Sequence, residues 1–194
     1  MLHYLPAYGQ INLYCPNHAE EIASVANTDY YLFTPSGLDV IGDDIGADWT
    51  VAGIAPAAVD ASNNGLTVRL FDDTTAEGTG FILESPSNST NMLLELRSRA
   101  QTAPGGAQTV VPRLYVREIP NNAAVESWSS GIDLTGISIP TNTYFQYSSQ
   151  SFSLASLDMT AGRISQFELV RNAASASDTL VGDWALLSAR ITFS

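Results

Sequence analysis

Trp184-Ala185-Leu186-Leu187-Ser188-Ala189-Arg190-Ile191-Thr192-Phe193 carries the alternation that decides the fold class. Apolar residues fall at every second position (Ala185, Leu187, Ala189, Ile191 and Phe193), with Ser188, Arg190 and Thr192 between them. A period of two puts the first set on one face of a strand and the second on the other, so this segment reads as a strand buried on one side. A strand this long and clean at a chain end is expected inside a sheet rather than hanging from it. Upstream the pattern repeats. Met92, Leu94, Leu96, Ser98 and Ala100 share a face opposite Glu95, Arg97 and Arg99, and Leu114 and Val116 lie opposite Arg113, Tyr115 and Arg117. Leu66, Val68 and Leu70 alternate with Thr67 and Arg69 after the hairpin-type turn Asn63-Asn64-Gly65. Strands are further expected over Gly80–Ser85, Thr143–Phe152 and Arg163–Arg171, separated by turn-forming Ala103-Pro104-Gly105-Gly106, Pro120-Asn121-Asn122 and Ile139-Pro140-Thr141-Asn142. No helical period follows residue 48, and no internal repeat appears. About eight strands in this span is the count of a two-sheet jelly roll, so the fold class is all-β, a jelly-roll β-sandwich over residues 49–194.

Residues 1–48 read differently, as an irregular N-terminal arm. Asn17 and Glu20 fit a capping box before a short helix over 18–26, and Tyr30–Phe33 fits a short aromatic strand stopped by Pro35-Ser36-Gly37. Tyr4, Pro6, Tyr8, Tyr14 and Pro16 give the arm the amphipathic, rigid side chains that suit contact with a neighbouring subunit. The N-terminus has neither the basic nor the apolar region of a signal peptide, and no apolar stretch reaches the length of a membrane span.

Charge excludes whole function classes. The 194 residues carry 8 basic against 20 acidic side chains, a formal net charge of -12. All the basic residues are Arg and none is Lys. Such a chain cannot neutralise many phosphates, so nucleic acid is excluded as a partner, and anionic membrane surfaces are disfavoured on the same ground. The single Cys15 forms no intrachain disulfide.

Candidate chemistry is thin. Cys15 and His18 sit three residues apart, but a zinc site needs a further pair of ligands and only His3 remains. Asp39, Asp43, Asp44 and Asp48, and again Asp72, Asp73 and Glu77, gather oxygen ligands of the kind calcium takes, without the spacing of a calcium loop; an exposed acidic loop is the plainer reading. No nucleophile elbow and no phosphate-cradling glycine loop is present. The sequence therefore assigns no catalytic, cofactor-binding or metal-ligating residue, and the chain is not expected to be an enzyme. Trp128, Tyr144, Phe145, Tyr147 and Trp184 raise sugar stacking as a role for the aromatics. Arg97, Arg99, Arg113 and Arg117, expected to project from the outer sheet faces, suit bidentate pairing with Glu95, Glu118 or a neighbouring subunit. With Tyr4, Tyr8 and Tyr14 they form the candidate interface set.

Several stretches resemble a jelly-roll module of structural proteins of tailed bacteriophages and prophages. They are Phe81-Ile82-Leu83-Glu84-Ser85-Pro86, Leu93-Leu94-Glu95-Leu96-Arg97-Ser98-Arg99-Ala100, Arg113-Leu114-Tyr115-Val116-Arg117-Glu118-Ile119-Pro120, and Phe167-Glu168-Leu169-Val170-Arg171 followed by Asp178-Thr179-Leu180-Val181-Gly182-Asp183-Trp184. The resemblance implies a virion component on the particle surface, assembled in the host cytoplasm. It implies a homotrimer that contacts itself and the major capsid protein or tail proteins. The expectation drawn from it is a capsid decoration (cement) subunit; a tail-associated module that binds a receptor or carbohydrate is the alternative.

Overall fold

A computed structural model describes residues 3–7, 10–14, 30–34, 51, 54–63, 66–122 and 124–194. The strands, in chain order, are β1 (His3–Ala7), β2 (Gln10–Tyr14), β3 (Tyr30–Phe33), β4 (Ala55–Pro56), β5 (Ala58–Asn63), β6 (Leu66–Phe71), β7 (Glu77–Glu84), β8 (Asn91–Ala100), β9 (Gln108–Val110), β10 (Pro112–Ile119), β11 (Ile132–Asp133), β12 (Ile137–Ile139), β13 (Gln146–Ser153), β14 (Ile164–Arg171) and β15 (Trp184–Phe193). One sheet runs β11-β10-β14-β7-β4 and a second runs β13-β8-β15-β6-β5, with β3 also paired to β15. The long strands β6, β7, β8, β10, β13, β14 and β15 alternate between these two sheets as the chain advances. Each connection thus crosses the sandwich instead of closing a hairpin, which is the winding of a jelly roll. All pairings within the two sheets are antiparallel except β4 with β7.

The inner faces follow from burial. Met92, Leu94, Leu96 and Ala100 of β8, Leu114 and Val116 of β10, and Phe167 and Leu169 of β14 pack between the sheets. Phe33, Phe81 and Phe167 stack through the core at centroid distances of 4.5 and 5.0 Å, an offset arrangement the ring quadrupole favours. Phe33 comes from β3, so the sandwich draws a strand from the chain before Trp49. Tyr31 of the same strand is buried, meets Phe193 edge-on, and donates its hydroxyl hydrogen to the Glu84 carbonyl.

The structure corrects two of the expected faces. In β15 the core side is Trp184, Leu186, Ala189, Ile191 and Phe193, not Ala185 and Leu187. The register shifts between Leu186 and Ser188, so Leu187 is an extra residue and exchanges the two faces across it. The bulge lies where the neighbour of β15 changes: β6 pairs with Trp184–Leu186 and β3 with Ala189–Thr192. In β6, Phe71 opposite Trp184 and Arg69 opposite Leu186 take the core side. Val68 and Leu70 alternate with them onto the other side, where Val68 is nevertheless fully buried, as its hydrophobicity suggests. Arg69 is buried and donates to the Ala57 carbonyl at 3.2 Å.

Of the N-terminal expectations, the strand Tyr30–Phe33 is present. Where an irregular arm was expected, β1 and β2 form an antiparallel hairpin of their own, with Tyr4 opposite Leu13 and His3 opposite Tyr14. The helix expected over 18–26, Tyr8, Cys15, His18 and the acidic run 39–48 lie outside the described residues.

Candidate functional site

Two outer faces collect the side chains of interest, and the four arginines singled out in the sequence divide between them. Arg113 and Arg117 sit on the outside of β10; Arg97 and Arg99 sit on the outside of β8.

On the five-stranded sheet, β10 and β14 place Tyr115 directly opposite Glu168 and Arg117 opposite Gln166. Val51 and Ile54 lie over this face: the Val51 N–H donates to Glu168 Oε2 at 2.8 Å, and the Ile54 side chain sits against Gly78. Gly78 makes the fit: a Cβ there would stand 2.6 Å from Glu168 Oε1. Glu168 is only 2% exposed, and burial lifts its carboxyl from the ordinary value to about 7, against smaller opposing effects of the Val51 N–H and the Arg117 charge.

Beside Glu168 opens a cleft of about 440 Å³, lined by Val51, Ile54, Asp73, Thr74, Arg113, Tyr115 and Asn172 among others. Its polar wall is pre-arranged. Arg113 Nε donates to Asp133 Oδ1 at 2.6 Å, and Asn172 Nδ2 donates to the same oxygen at 2.9 Å. That contact with Arg113 is the main reason the Asp133 carboxyl is held below its usual range. Gly131 adopts a positive φ of 79°, and a Cβ on it would meet the Tyr115 ring at 2.6 Å, so glycine lets this loop close against the tyrosine. Further along the same face Arg117 lies 4.5 Å from the centre of the Trp128 ring and donates to Gln166 Oε1 at 2.8 Å.

The six-stranded sheet presents a different surface. Arg190 and the Tyr147 hydroxyl both donate to the buried Glu95 carboxylate, and Arg190 is the first cause of the lowering of its pKa. Arg97 lies 5.7 Å from the Tyr147 ring centre, Arg99 5.0 Å from Phe145, and Arg190 5.5 Å from Tyr30. Arg97 is exposed as expected. Arg99 is not: it is buried, with Nη1 donating to the Thr143 carbonyl. Glu95 and Glu118 do bind arginines, but these are Arg190 and Arg163 rather than the four anticipated.

Among the sugar-stacking candidates, Tyr144 and Tyr147 are 73% and 54% exposed, whereas Trp184 is a core residue against Phe71. Of the acidic groups, the carboxylates of Asp72, Asp73 and Asp183 come within 4.8 Å of one another. Asp72 Oδ1 accepts from the backbone of Thr74 and Thr75, and Asp73 Oδ2 accepts from Gly182 N, so two of the three carboxylates brace loops.

Arginines on the outside of a polar-alternating strand are legible in a sequence. Glu168, Asp133 and Asn172 are not, because the cleft is assembled from four segments far apart in the chain.

No family model matches this chain, and no curated protein matches it. Among solved structures, the chain is similar to the enzymatically active domain of bacteriophage CBA120 tailspike protein 4 (TM-score 0.38, 10% identity), with 86% of this chain and 18% of that one covered. It is similar also to the CBM35 of Cellvibrio japonicus Abf62 (TM-score 0.47, 12% identity, 84% and 92% covered). A third is the family 11 carbohydrate-binding module of Clostridium thermocellum in complex with a β-1,3-1,4-mixed-linked tetrasaccharide (TM-score 0.36, 12% identity, 86% and 89% covered). TM-scores below 0.5 leave the jelly roll to be read from the strand order itself.

Proposed function

We propose that this chain is a glycan-binding module that performs no reaction and holds its saccharide in the cleft on the five-stranded sheet. The observation that carries the reading is the combination in one 440 Å³ cleft of the Tyr115 ring with the pre-arranged planar groups of Arg113 and Asn172. Sugar rings offer an apolar C–H face to an aromatic ring and hydroxyls to planar donors and acceptors, and a volume of several hundred Å³ suits one or two of them. Trp128 and Arg117 extend the same chemistry along the sheet.

In a particle, this reading favours the tail-associated, receptor-binding alternative over capsid decoration, since a host-surface saccharide is the natural ligand of such a module. The test is a glycan array followed by titration of the best binder. Tyr115→Ala is expected to weaken affinity at least about tenfold, and Asn172→Ala several-fold, the loss of a stacking contact and of a hydrogen bond respectively. A wild-type protein that retains no glycan, or a folded Tyr115→Ala variant that binds as tightly, overturns the reading.

A further inference from the structure

The inward face of β13 breaks the pattern of the sandwich. Ser148 is the Cα partner of Leu96 and Gln150 that of Leu94, so both stand on the face that carries the core leucines of β8. Phe152, two residues further on, is buried on that face in the usual way. Ser148 and Gln150 are only partly buried, and a serine is too short to cover the leucines beside it. A cavity of about 200 Å³ remains, with Leu94 and Leu96 as its floor and Leu134 and Ile137 as its far wall. That wall is pinned at three points. The Leu134 N–H donates to the Pro112 carbonyl at 2.8 Å, Ile137 pairs with Val110 of β9, and the Thr135 N–H donates to Gln150 Oε1 at 2.7 Å across the gap. The cavity shares no lining residue with the Tyr115 cleft.

The lining decides what fits. None of the lining residues is charged, so an ion entering would give up its hydration with nothing to replace it. Four aliphatic side chains hold water poorly, and displacing such water by an apolar group gains affinity. An aliphatic cavity of about 150 Å³ takes up benzene, so the space here holds one six-membered ring with a substituent. The polar contribution is narrow. Thr135 already occupies Gln150 Oε1, which leaves the Gln150 amide N–H groups to donate, and Ser148 adds one hydroxyl. Thr135 and Ser149 at the rim are exposed, so the cavity is reached from solvent.

We propose that this cavity is a binding site for one small uncharged molecule, a six-membered aliphatic or aromatic ring bearing a single oxygen acceptor. Titration of cyclohexanol into the isotopically labelled full chain, followed by amide NMR shifts, tests it, with cyclohexanecarboxylate as the charged control. Saturable shifts centred on residues 134–137 and 148–150 are expected, with a Kd of about 1 mM. The carboxylate is expected to bind at least about tenfold more weakly. Ser148→Leu extends a side chain into the space and should weaken cyclohexanol binding about tenfold or more, whereas Ser148→Ala leaves the space open and should change it by less than about threefold. The wild-type shift map and the carboxylate control decide the matter even where Ser148→Leu does not fold. Shifts that do not saturate, or that centre on other residues, overturn the proposal. So does a carboxylate that binds as tightly as the alcohol, or a folded Ser148→Leu chain with unchanged affinity.

Discussion

Glu168 sits in an environment that a charged carboxylate disfavours. A carboxyl with a folded pKa of about 7 and an unfolded value near 4.5 keeps its proton in the folded chain across a window where the unfolded chain has released it. Folding then binds more protons than unfolding, so this group's contribution to stability is greatest below pH 4.5 and is lost as pH rises to 7. At about 1.4 kcal/mol per pH unit the loss is at most about 3 kcal/mol. Glu95 has the opposite sign. Arg190 holds its pKa down, so its contribution is present at neutral pH and disappears as pH falls. Replacing Glu168 by Gln keeps an oxygen for the Val51 N–H and removes the charge. Denaturant titrations at pH 5 and pH 8 are therefore expected to show Glu168→Gln gaining on the wild type as pH rises. A gap that stays constant between the two would mean that Glu168 ionises freely in the folded chain.

At the scale of elements, the loop between β14 and β15 shows how a sequence signature becomes a physical device. The Arg strand, polar loop, Asp-Thr-Leu and Gly-Asp of residues 171–183 close around one guanidinium. Arg171 is almost fully buried, donates to both Asp178 oxygens at 2.9 and 3.2 Å, and reaches the Leu180 and Gly182 carbonyls. Asp178 in turn accepts from Val111 N at 2.9 Å. Truncating one member leaves the other charged and buried, so Arg171→Met is expected to cost about 3–5 kcal/mol in urea unfolding. The Arg171→Met/Asp178→Leu double variant should lose clearly less than the sum of the two single losses. Strand existence was legible from alternation alone, and for β8 and β10 so were the faces, because Met92, Leu94, Leu96, Ser98 and Ala100, and in β10 Leu114 and Val116, are apolar or small, with the buried Glu118 following only at the end of β10. It failed at β15, where one inserted residue reverses the parity, and at β6, where Arg69 is buried on the same side as Phe71. Neither event leaves a mark in local hydrophobicity; each is set by what the neighbouring strand requires. The cleft was legible only as Arg113 and its neighbours on β10, since Val51, Ile54, Asp73 and Asn172 reach it through the winding of the whole sandwich.

The winding also determines how much of the N-terminal region the sandwich needs. β1 and β2 pair with each other in a separate two-stranded sheet, while β3 pairs with β15 and sends Tyr31 and Phe33 into the core. Losing two aromatic core contacts costs several kcal/mol, a large part of the 5–15 kcal/mol that holds a typical domain together. Two truncations separate these roles. Removing residues 2–16 is expected to leave the melting temperature within a few degrees of the full chain. Removing residues 2–34 takes away β3 and should lower the urea midpoint sharply or prevent folding altogether. If the shorter deletion were as damaging as the longer one, the β1–β2 hairpin would be an integral part of the sandwich. If neither mattered, the Phe33–Phe81–Phe167 stack would contribute little, and the domain would indeed begin near Trp49. The strand order favours a sandwich that starts at β3.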